Sequence, residues 1–157
     1  MSKSLKRVKR ALEDSKIETE VRETGEARTA QMAADQLGVA VDQIAKSIIF
    51  KGETTGEALL FLTAGGQQVD VEAASGLAGE PLGRADAALV RAQTGFAIGG
   101  VSPIGHLSPI RSWIDVNLLK FATVWAAAGT PHHVFSATPV DLQKLAGSDA
   151  ASFTVQK

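Results

Sequence analysis

The stretch SIIFKGETTGEALLFLT, residues 47–63, decides how this chain is expected to fold. Its two β-rich runs, Ser47–Lys51 and Ala58–Thr63, are separated by a segment with two glycines, a pattern typical of a hairpin with a longer loop. The second run contains Leu59–Leu62, which would make a strand apolar on both faces. The sequence therefore predicts a hairpin at the centre of a sheet.

Helical patterns flank the hairpin on both sides. Leu5, Val8 and Leu12 recur at helical spacing and predict an amphipathic first helix. Thr29 is expected to cap a second helix that Gly38 ends. The remaining helical segments are expected as a turn at 42–45, short helices at 69–77 and 86–92, and a closing helix from 138 through 145.

Several further strands are predicted outside the hairpin: 19–22, a strand at Phe96, 113–116, 124–127 and 133–136. The last few residues are expected to fray. Because strands outnumber crossovers, we expect an α+β fold rather than a doubly wound sheet. We expect one compact domain over residues 1–157.

Composition restricts the class of protein. With 157 residues, 45% of them hydrophobic and 21% charged, the chain has the make-up of one globular domain. Its net charge of -1 indicates that any contact with nucleic acid must be local. The lack of cysteine excludes disulfides, thiolate zinc sites and a cysteine nucleophile. No run is apolar enough for a signal peptide or a bilayer span, so we expect a cytoplasmic location.

The segment GGVSPIGH, residues 99–106, is the strongest chemical feature. Its glycines would let backbone N–H groups approach a ligand oxygen, although a tight turn between strands is the alternative. The segment is not a nucleophile elbow, because Pro103 follows Ser102 and has no N–H, and the next glycine falls one position late. A serine esterase that uses Ser102 is therefore only a minor alternative.

Lys46 stands where a helical turn passes into an apolar strand, so its side chain either lies in a cleft or extends along the surface to solvent. His132 and His133 are adjacent and would point to opposite faces of a strand, so they cannot bind one metal together. One of the two could still line a pocket, and the alternative is an ordinary surface or core histidine, as it is for His106. Asp115 would need a partner if buried, and a capping role is its simplest interpretation. We expect no metal site and no other cofactor.

The first ten residues contain five basic side chains: Lys3, Lys6, Arg7, Lys9 and Arg10. They could form a local stripe that contacts phosphates, or simply the solvated face of a helix.

Three segments, taken in order, resemble the YbaK/ProX family: 28–30 running to 43–48, 99–106 and 124–132. The likeness covers nearly the whole chain, and its most specific parts are the lysine that enters the central strand and the glycine-rich loop. The resemblance implies a mixed, barrel-like sheet with flanking helices, related to the editing insertion of bacterial prolyl-tRNA synthetases. It also implies deacylation of aminoacyl-tRNA that carries the wrong small amino acid.

The same resemblance implies roles for individual residues. Lys46, Gly100 and Ser102 would be the catalytic set, with Lys46 holding the terminal adenosine or its phosphate. Asp115 is a weaker candidate. The substrate-binding set would be Arg28, Thr29, Gly99, Val101, Pro103, Gly105, Gly129, Thr130 and His132, with His133 as the neighbour that could replace His132.

The expected partner is the 3′ acceptor end of an aminoacyl-tRNA, and an aminoacyl-tRNA synthetase is a further possible partner; neither a membrane nor DNA is expected. Serine and threonine are the expected amino acids, followed by alanine, with cysteine also possible. No protein nucleophile is required, because a placed water or the adjacent ribose hydroxyl can serve the reaction. A non-catalytic module that binds aminoacyl-tRNA or a nucleotide is the main alternative.

Overall fold

The hairpin predicted from residues 47–63 lies in the middle of a mixed sheet. The structure is a computed structural model that describes residues 2–156, and this part of the chain contains five α-helices and eight strands. The strands are β1 (Val21–Glu23), β2 (Ile44–Gly52), β3 (Ala58–Ala64), β4 (Leu82–Arg84), β5 (Arg111–Asp115), β6 (Val124–Thr130), β7 (His133–Ala137) and β8 (Asp149–Ala151). The helices are α1 (Lys3–Ser15), α2 (Ala30–Leu37), α3 (Val71–Ala78), α4 (Ala87–Thr94) and α5 (Pro139–Ala146). Two 3₁₀ helices, Val41–Gln43 and Val116–Lys120, connect them.

The sheet has the order β1-β7-β6-β2-β3-β5-β8, with β4 paired to β2. The β2–β3, β2–β4, β1–β7 and β6–β7 pairs are antiparallel, whereas β2–β6, β3–β5 and β5–β8 are parallel. The prediction of an α+β domain with a mixed sheet and flanking helices is therefore confirmed.

Strand β3 is buried along its whole length because helices cover both faces of the sheet. On one face, Leu60 and Leu62 pack with Leu5, Val8 and Leu12 of α1, as the helical spacing predicts. On the other face, Leu59 and Phe61 pack with α3, and Phe61 stacks on Trp113 at 4.8 Å between ring centroids. This two-sided packing explains why the run 59–62 is apolar at every position.

Helix α2 begins and ends where the sequence predicts. The Thr29 hydroxyl accepts the N–H of Met32, and Gly38 ends the helix in the left-handed conformation with φ 70°. Ala33 and Ala34 pack against Ile44 and Trp125, so α2 lies beside the start of β2. This packing brings the N-terminal end of α2 close to Lys46 and is what positions the site.

Two predictions of secondary structure are wrong, and a third is right in kind but has shifted bounds. Phe96 is not in a strand; it is buried in the loop after α4. The turn expected at 42–45 is a 3₁₀ helix that ends at Gln43, because β2 already begins at Ile44. The fraying expected for the last few residues is not seen at 153–154, where Phe153 is buried and Thr154 bridges to Val69; Lys157 lies outside the described residues. None of the helices within residues 2–156 is long and apolar enough to cross a bilayer.

Candidate active site

A cleft of about 750 Å³ opens where β2 lacks a partner strand. On the side away from β3, strand β2 pairs with β6 at Ile44 and Ala45 and with β4 at residues 50–52. Residues 46–49 lie between these pairings, have no partner on that side among the described strands, and line the cleft. Alternate N–H and C=O groups of this segment therefore face the opening.

The cleft has an exposed mouth and a buried inner end. The mouth is formed by Arg28, Thr29, Ile98, Gly99 and Pro131, all of which are exposed. The inner end is apolar and belongs to the main core; its walls are Ala45, Ile49, Val90, Val101 and Ala126. A ligand with a polar, extended part and one small side chain fits this gradient.

Lys46 lies inside the cleft, so its side chain does not extend along the surface. Its Nζ donates a hydrogen bond to the Gln67 carbonyl at 2.7 Å and forms no ion pair within residues 2–156. Burial lowers the pKa of Lys46, and the charges of Asp42 and Asp115 oppose that shift. The ammonium keeps hydrogen-bond donors for an anionic or carbonyl ligand.

The acceptor of Lys46 is itself held in place. Asp42 accepts the N–H of Gly66 at 2.7 Å and the side-chain amide of Gln67 at 3.0 Å. The turn that follows β3 is thus tied to the 3₁₀ helix that precedes β2. This network positions the Gln67 carbonyl and, through it, the lysine.

The glycine-rich loop contributes Gly99 and Val101 to the cleft. Gly99 has φ 96°, a conformation that favours glycine. Gly100 is buried behind them, and a side chain there would meet the Gly129–Thr130 backbone at 3.1–3.3 Å. The absence of a side chain at Gly100 therefore lets the loop pack directly on the end of β6.

The end of β6 supplies the facing wall. Thr130 and His133 line the cleft, and the Thr130 hydroxyl shares a 2.7 Å hydrogen bond with His133 Nδ1. Gly129 is buried behind this wall with φ 99°, and its carbonyl accepts the Ser4 hydroxyl of α1 at 2.8 Å. His132 is exposed and does not line the cleft, so the structure places His133 in the position that the sequence could not assign between the two.

The rest of the expected loop residues lie away from the cleft. Ser102 and Pro103 are buried, and the Ser102 hydroxyl accepts the N–H of Ile104 at 3.3 Å. Gly105 borders a smaller cavity on the other side of the loop. Four expected site residues thus do not line the cleft: Ser102, expected as catalytic, and Pro103, Gly105 and His132, expected as binding residues. The structure shows no contact that supports those roles.

His106 and Asp115 have structural partners. The His106 ring nitrogen Nε2 lies 2.7 Å from the Ser102 carbonyl, so His106 closes the loop from behind. Asp115 is fully buried; it caps the 3₁₀ helix through the N–H of Asn117 and accepts the N–H of Ala64 at 3.0 Å. Within residues 2–156, no three His, Asp or Glu side chains lie close enough to hold a metal ion.

Comparison with known proteins agrees with this arrangement. The model of the family described as "Aminoacyl-tRNA editing domain" matches residues 24–145, a range that includes the whole cleft. The chain belongs to the aminoacyl-tRNA editing domain family.

Three relatives of this editing domain are similar over most of their length. The uncharacterized protein YwhH of Bacillus subtilis (strain 168) is 32% identical over 120 residues, 76% of each chain. A crystal structure of a proposed trans-editing enzyme for prolyl-tRNA synthetase has 43% identity and a TM-score of 0.92, with 99% of each chain covered. A structure from work on computational epitope grafting onto scaffold proteins has 41% identity and a TM-score of 0.92 over 100% of each chain.

Two parts of the editing domain's cleft were not anticipated from the sequence. One is the unpaired edge of β2 at residues 46–49, which depends on where β4 and β6 pair and has no local signal. The other is Ser47, which directly follows Lys46 in the sequence and looks like an ordinary strand residue. The signal that could have pointed to Ser47 is its position next to Lys46, a lysine expected to hold the ligand.

Proposed function

We propose that this editing domain is a deacylase that hydrolyses the ester of mischarged aminoacyl-tRNA carrying a small amino acid. The observation that carries the proposal is that one cleft contains both Lys46, which forms no ion pair within residues 2–156, and an apolar inner end. An aminoacyl-adenosine has the matching parts: a phosphate-bearing nucleoside and a small side chain. The family of the chain and its relative described for prolyl-tRNA synthetase support the same substrate class.

In the proposed reaction, Lys46 holds the terminal adenosine or its phosphate in the cleft. Water adds to the ester carbonyl carbon, and the carbonyl oxygen takes the negative charge. N–H groups of Gly99, Val101 and the free β2 edge are the nearest candidates to stabilise that charge. The ester C–O bond then breaks, the ribose oxygen leaves with a proton, and the amino acid is released as its acid.

The attacking water needs no protein nucleophile. An aminoacyl ester is already activated, so placing water against it, with the adjacent ribose hydroxyl as base, supplies the main requirement. Thr130 and His133 are the polar pair that faces this position across the cleft. A serine esterase is disfavoured because Ser102 is buried and does not line the cleft.

Serine and threonine are the proposed preferred amino acids, followed by alanine, with cysteine also accepted. The walls of the inner end are apolar, and the proposed occupant is a small amino-acid side chain. Selection by one methyl group is worth only about 1–3 kcal/mol, whereas an unpaired polar group can cost more. We therefore expect serine over alanine to be a sharper preference than serine over threonine.

The test is a deacylation panel with alanyl, seryl, threonyl and cysteinyl esters on one tRNA body. We expect turnover of the small esters by the wild-type protein, and its loss in a folded Lys46→Ala variant. Binding of aminoacyl-tRNA with no turnover of any ester would establish the non-catalytic alternative instead. A clear preference for cysteine would overturn the amino-acid assignment but not the deacylase.

The partners follow from the same proposal. The 3′ acceptor end is the part of the tRNA that enters the cleft, and an aminoacyl-tRNA synthetase is a candidate partner because it produces the mischarged substrate. Both are found where translation takes place, so we propose a cytoplasmic role.

A further inference from the structure

Ser47 has an unusual hydroxyl. Its Oγ is the one buried side-chain nitrogen or oxygen in the described part of the chain, residues 2–156, that has no hydrogen-bond partner. Buried hydroxyls are almost always paired, so an unpaired one in a native site calls for a functional explanation. Ser47 lines the cleft beside Lys46.

The side chains around Ser47 offer no hydrogen-bond partner to its hydroxyl. On the same face of β2, its neighbours along the strand are Ala45 and Ile49, and both belong to the apolar core. Val90, Val101 and Ala126 complete this inner end of the cleft. None of these side chains can accept or donate a hydrogen bond.

The other two hydroxyls that line the cleft, those of Thr29 and Thr130, already have partners. Thr29 Oγ1 accepts the N–H of Met32 as the cap of α2. Thr130 Oγ1 is bonded to His133 and also accepts the N–H of His132. Of the hydroxyls that line the cleft, Ser47 therefore has the most unused bonding capacity.

We propose that Ser47 is the specificity-determining residue that recognises a hydroxyl on the side chain of the substrate's amino acid. The inference rests on the proposed deacylase function and names the group that makes it selective. A serine or threonine side chain in the inner end pairs with Ser47 Oγ, which can donate and accept. An alanine side chain leaves Ser47 Oγ unpaired, because alanine has no polar atom and the oxygen is shielded from solvent.

The experiment compares Ser47→Ala with the wild-type protein on seryl-, threonyl- and alanyl-tRNA that share one tRNA body. The substitution removes one oxygen and keeps the apolar walls. We expect kcat/KM for the seryl and threonyl esters to fall by roughly tenfold or more, while the alanyl ester is unchanged or faster. Ser47→Thr keeps the hydroxyl but adds a methyl group, so we expect it to reduce threonyl turnover more than seryl turnover.

Ser75→Ala is the matched control. Ser75 lies on α3 outside the cleft, and its hydroxyl donates only to the Val71 carbonyl of its own helix. We expect this variant to leave all three rates and their ratios unchanged. An equal fall of all three rates in Ser47→Ala, or an unchanged seryl-to-alanyl ratio, would overturn the role of Ser47.

A binding measurement separates this inference from the deacylase proposal. Adenosine carrying a seryl or an alanyl group through a 3′ amide cannot be hydrolysed as an ester, so its affinity reports recognition alone. If the wild-type protein turns over no ester but binds the seryl amide more tightly, and Ser47→Ala removes that difference, the deacylase proposal fails and the role of Ser47 stands. If the two amides bind equally to the wild-type protein, Ser47 is not a determinant of specificity.

Discussion

Arg7 of α1 holds the carbonyl of Gly105 in the glycine-rich loop, with Nε donating at 2.6 Å. The same guanidinium donates to the Gly95 carbonyl at 2.9 Å and lies 4.5 Å from the centre of the Phe96 ring. One side chain thus connects α1 to both ends of the segment that carries Gly99 and Val101 into the cleft. The sequence placed Arg7 among five basic residues that could contact phosphates, and the structure gives it this internal role instead.

Replacing Arg7 by glutamine should loosen the glycine-rich loop. The variant loses two charge-assisted hydrogen bonds, so we expect the free energy of unfolding to fall by about 2–4 kcal/mol. Arg7→Lys should recover only part of this, because an ammonium cannot reproduce the two-carbonyl geometry of a guanidinium. Urea unfolding together with kcat/KM checks the prediction, and wild-type values of both in Arg7→Gln would contradict it.

The remaining basic residues of α1 should act on tRNA alone. Lys6 and Arg10 are exposed, so the double variant Lys6→Gln/Arg10→Gln should keep its stability and kcat while its KM for tRNA rises modestly. The effect should shrink as salt is added, because screening weakens the same contacts. Steady-state kinetics at two salt concentrations would check this, and a loss of kcat at saturating tRNA would instead assign these residues to the chemical site.

The parts of the fold that carry strong local patterns could be predicted from the sequence. Thr29 and Gly38 bound α2 because capping depends on neighbouring residues, and the hairpin follows from its alternating and doubly apolar runs. Strand β8 and the bridge at Thr154 could not be predicted. β8 pairs with β5 and Thr154 pairs with Val69, so both depend on residues distant in sequence.

The same distinction applies to the cleft. The sequence pattern singled out Lys46 and the loop that contains Gly99, the family resemblance supplied their expected roles, and the structure brings both residues to one opening. Ser102 is also in the glycine-rich loop but is buried behind it, since the direction of each loop residue depends on the turn at Gly99 and not on proximity in sequence. A motif therefore locates a loop more reliably than it assigns its individual side chains.

Lys46 should make substrate binding weaken at alkaline pH, which would appear as an alkaline limb in the pH profile of the reaction. Burial lowers its pKa, so the cost of keeping the ammonium charged in the folded protein disappears as the pH rises through that lowered pKa. Binding that requires the charge is lost over the same interval, below the pH at which an exposed lysine would titrate. We expect KM to rise there in the wild-type protein.

Lys46→Arg is the control for this limb, because a guanidinium stays charged over the whole range. Whatever activity this variant retains should show no rise in KM over the same interval. An identical alkaline limb in both proteins would mean that another group titrates and that the charge of Lys46 does not hold the substrate.

Gly99 and Gly129 provide a matched pair of substitutions. Both have positive φ, 96° and 99°, so alanine should cost each about 1 kcal/mol from backbone conformation. A side chain at Gly129 would also meet the Ser4 carbonyl oxygen at 2.9 Å, whereas nothing lies within 4 Å of one at Gly99. We therefore expect Gly129→Ala to destabilise the fold more.

For activity we expect the opposite order, with the larger loss in Gly99→Ala. Gly99 lines the cleft, so Gly99→Ala should reduce kcat/KM with only a small loss of stability. Thermal unfolding and deacylation rates measured side by side test both statements. Equal stabilities would show that the contact with Ser4 is relieved by a movement of α1.

His106 should make folding sensitive to acid. Burial lowers its pKa from the ordinary value of 6.5, the nearby Arg7 charge lowers it further, and the bond to the Ser102 carbonyl opposes both. A carbonyl only accepts, so Nε2 carries the proton in the neutral ring. As the pH falls below 6.5, the unfolded chain binds a proton before the folded protein does, and stability is lost until the folded pKa is reached. We expect His106→Gln, whose amide can still donate, to lose less stability than the wild-type protein between about pH 7 and about pH 5.

His132→Gln removes an exposed histidine outside the loop and is the matched control. Urea unfolding at a series of pH values decides the matter, and equal slopes for the wild-type protein and His106→Gln would show that the histidine behind the glycine-rich loop does not couple protonation to folding.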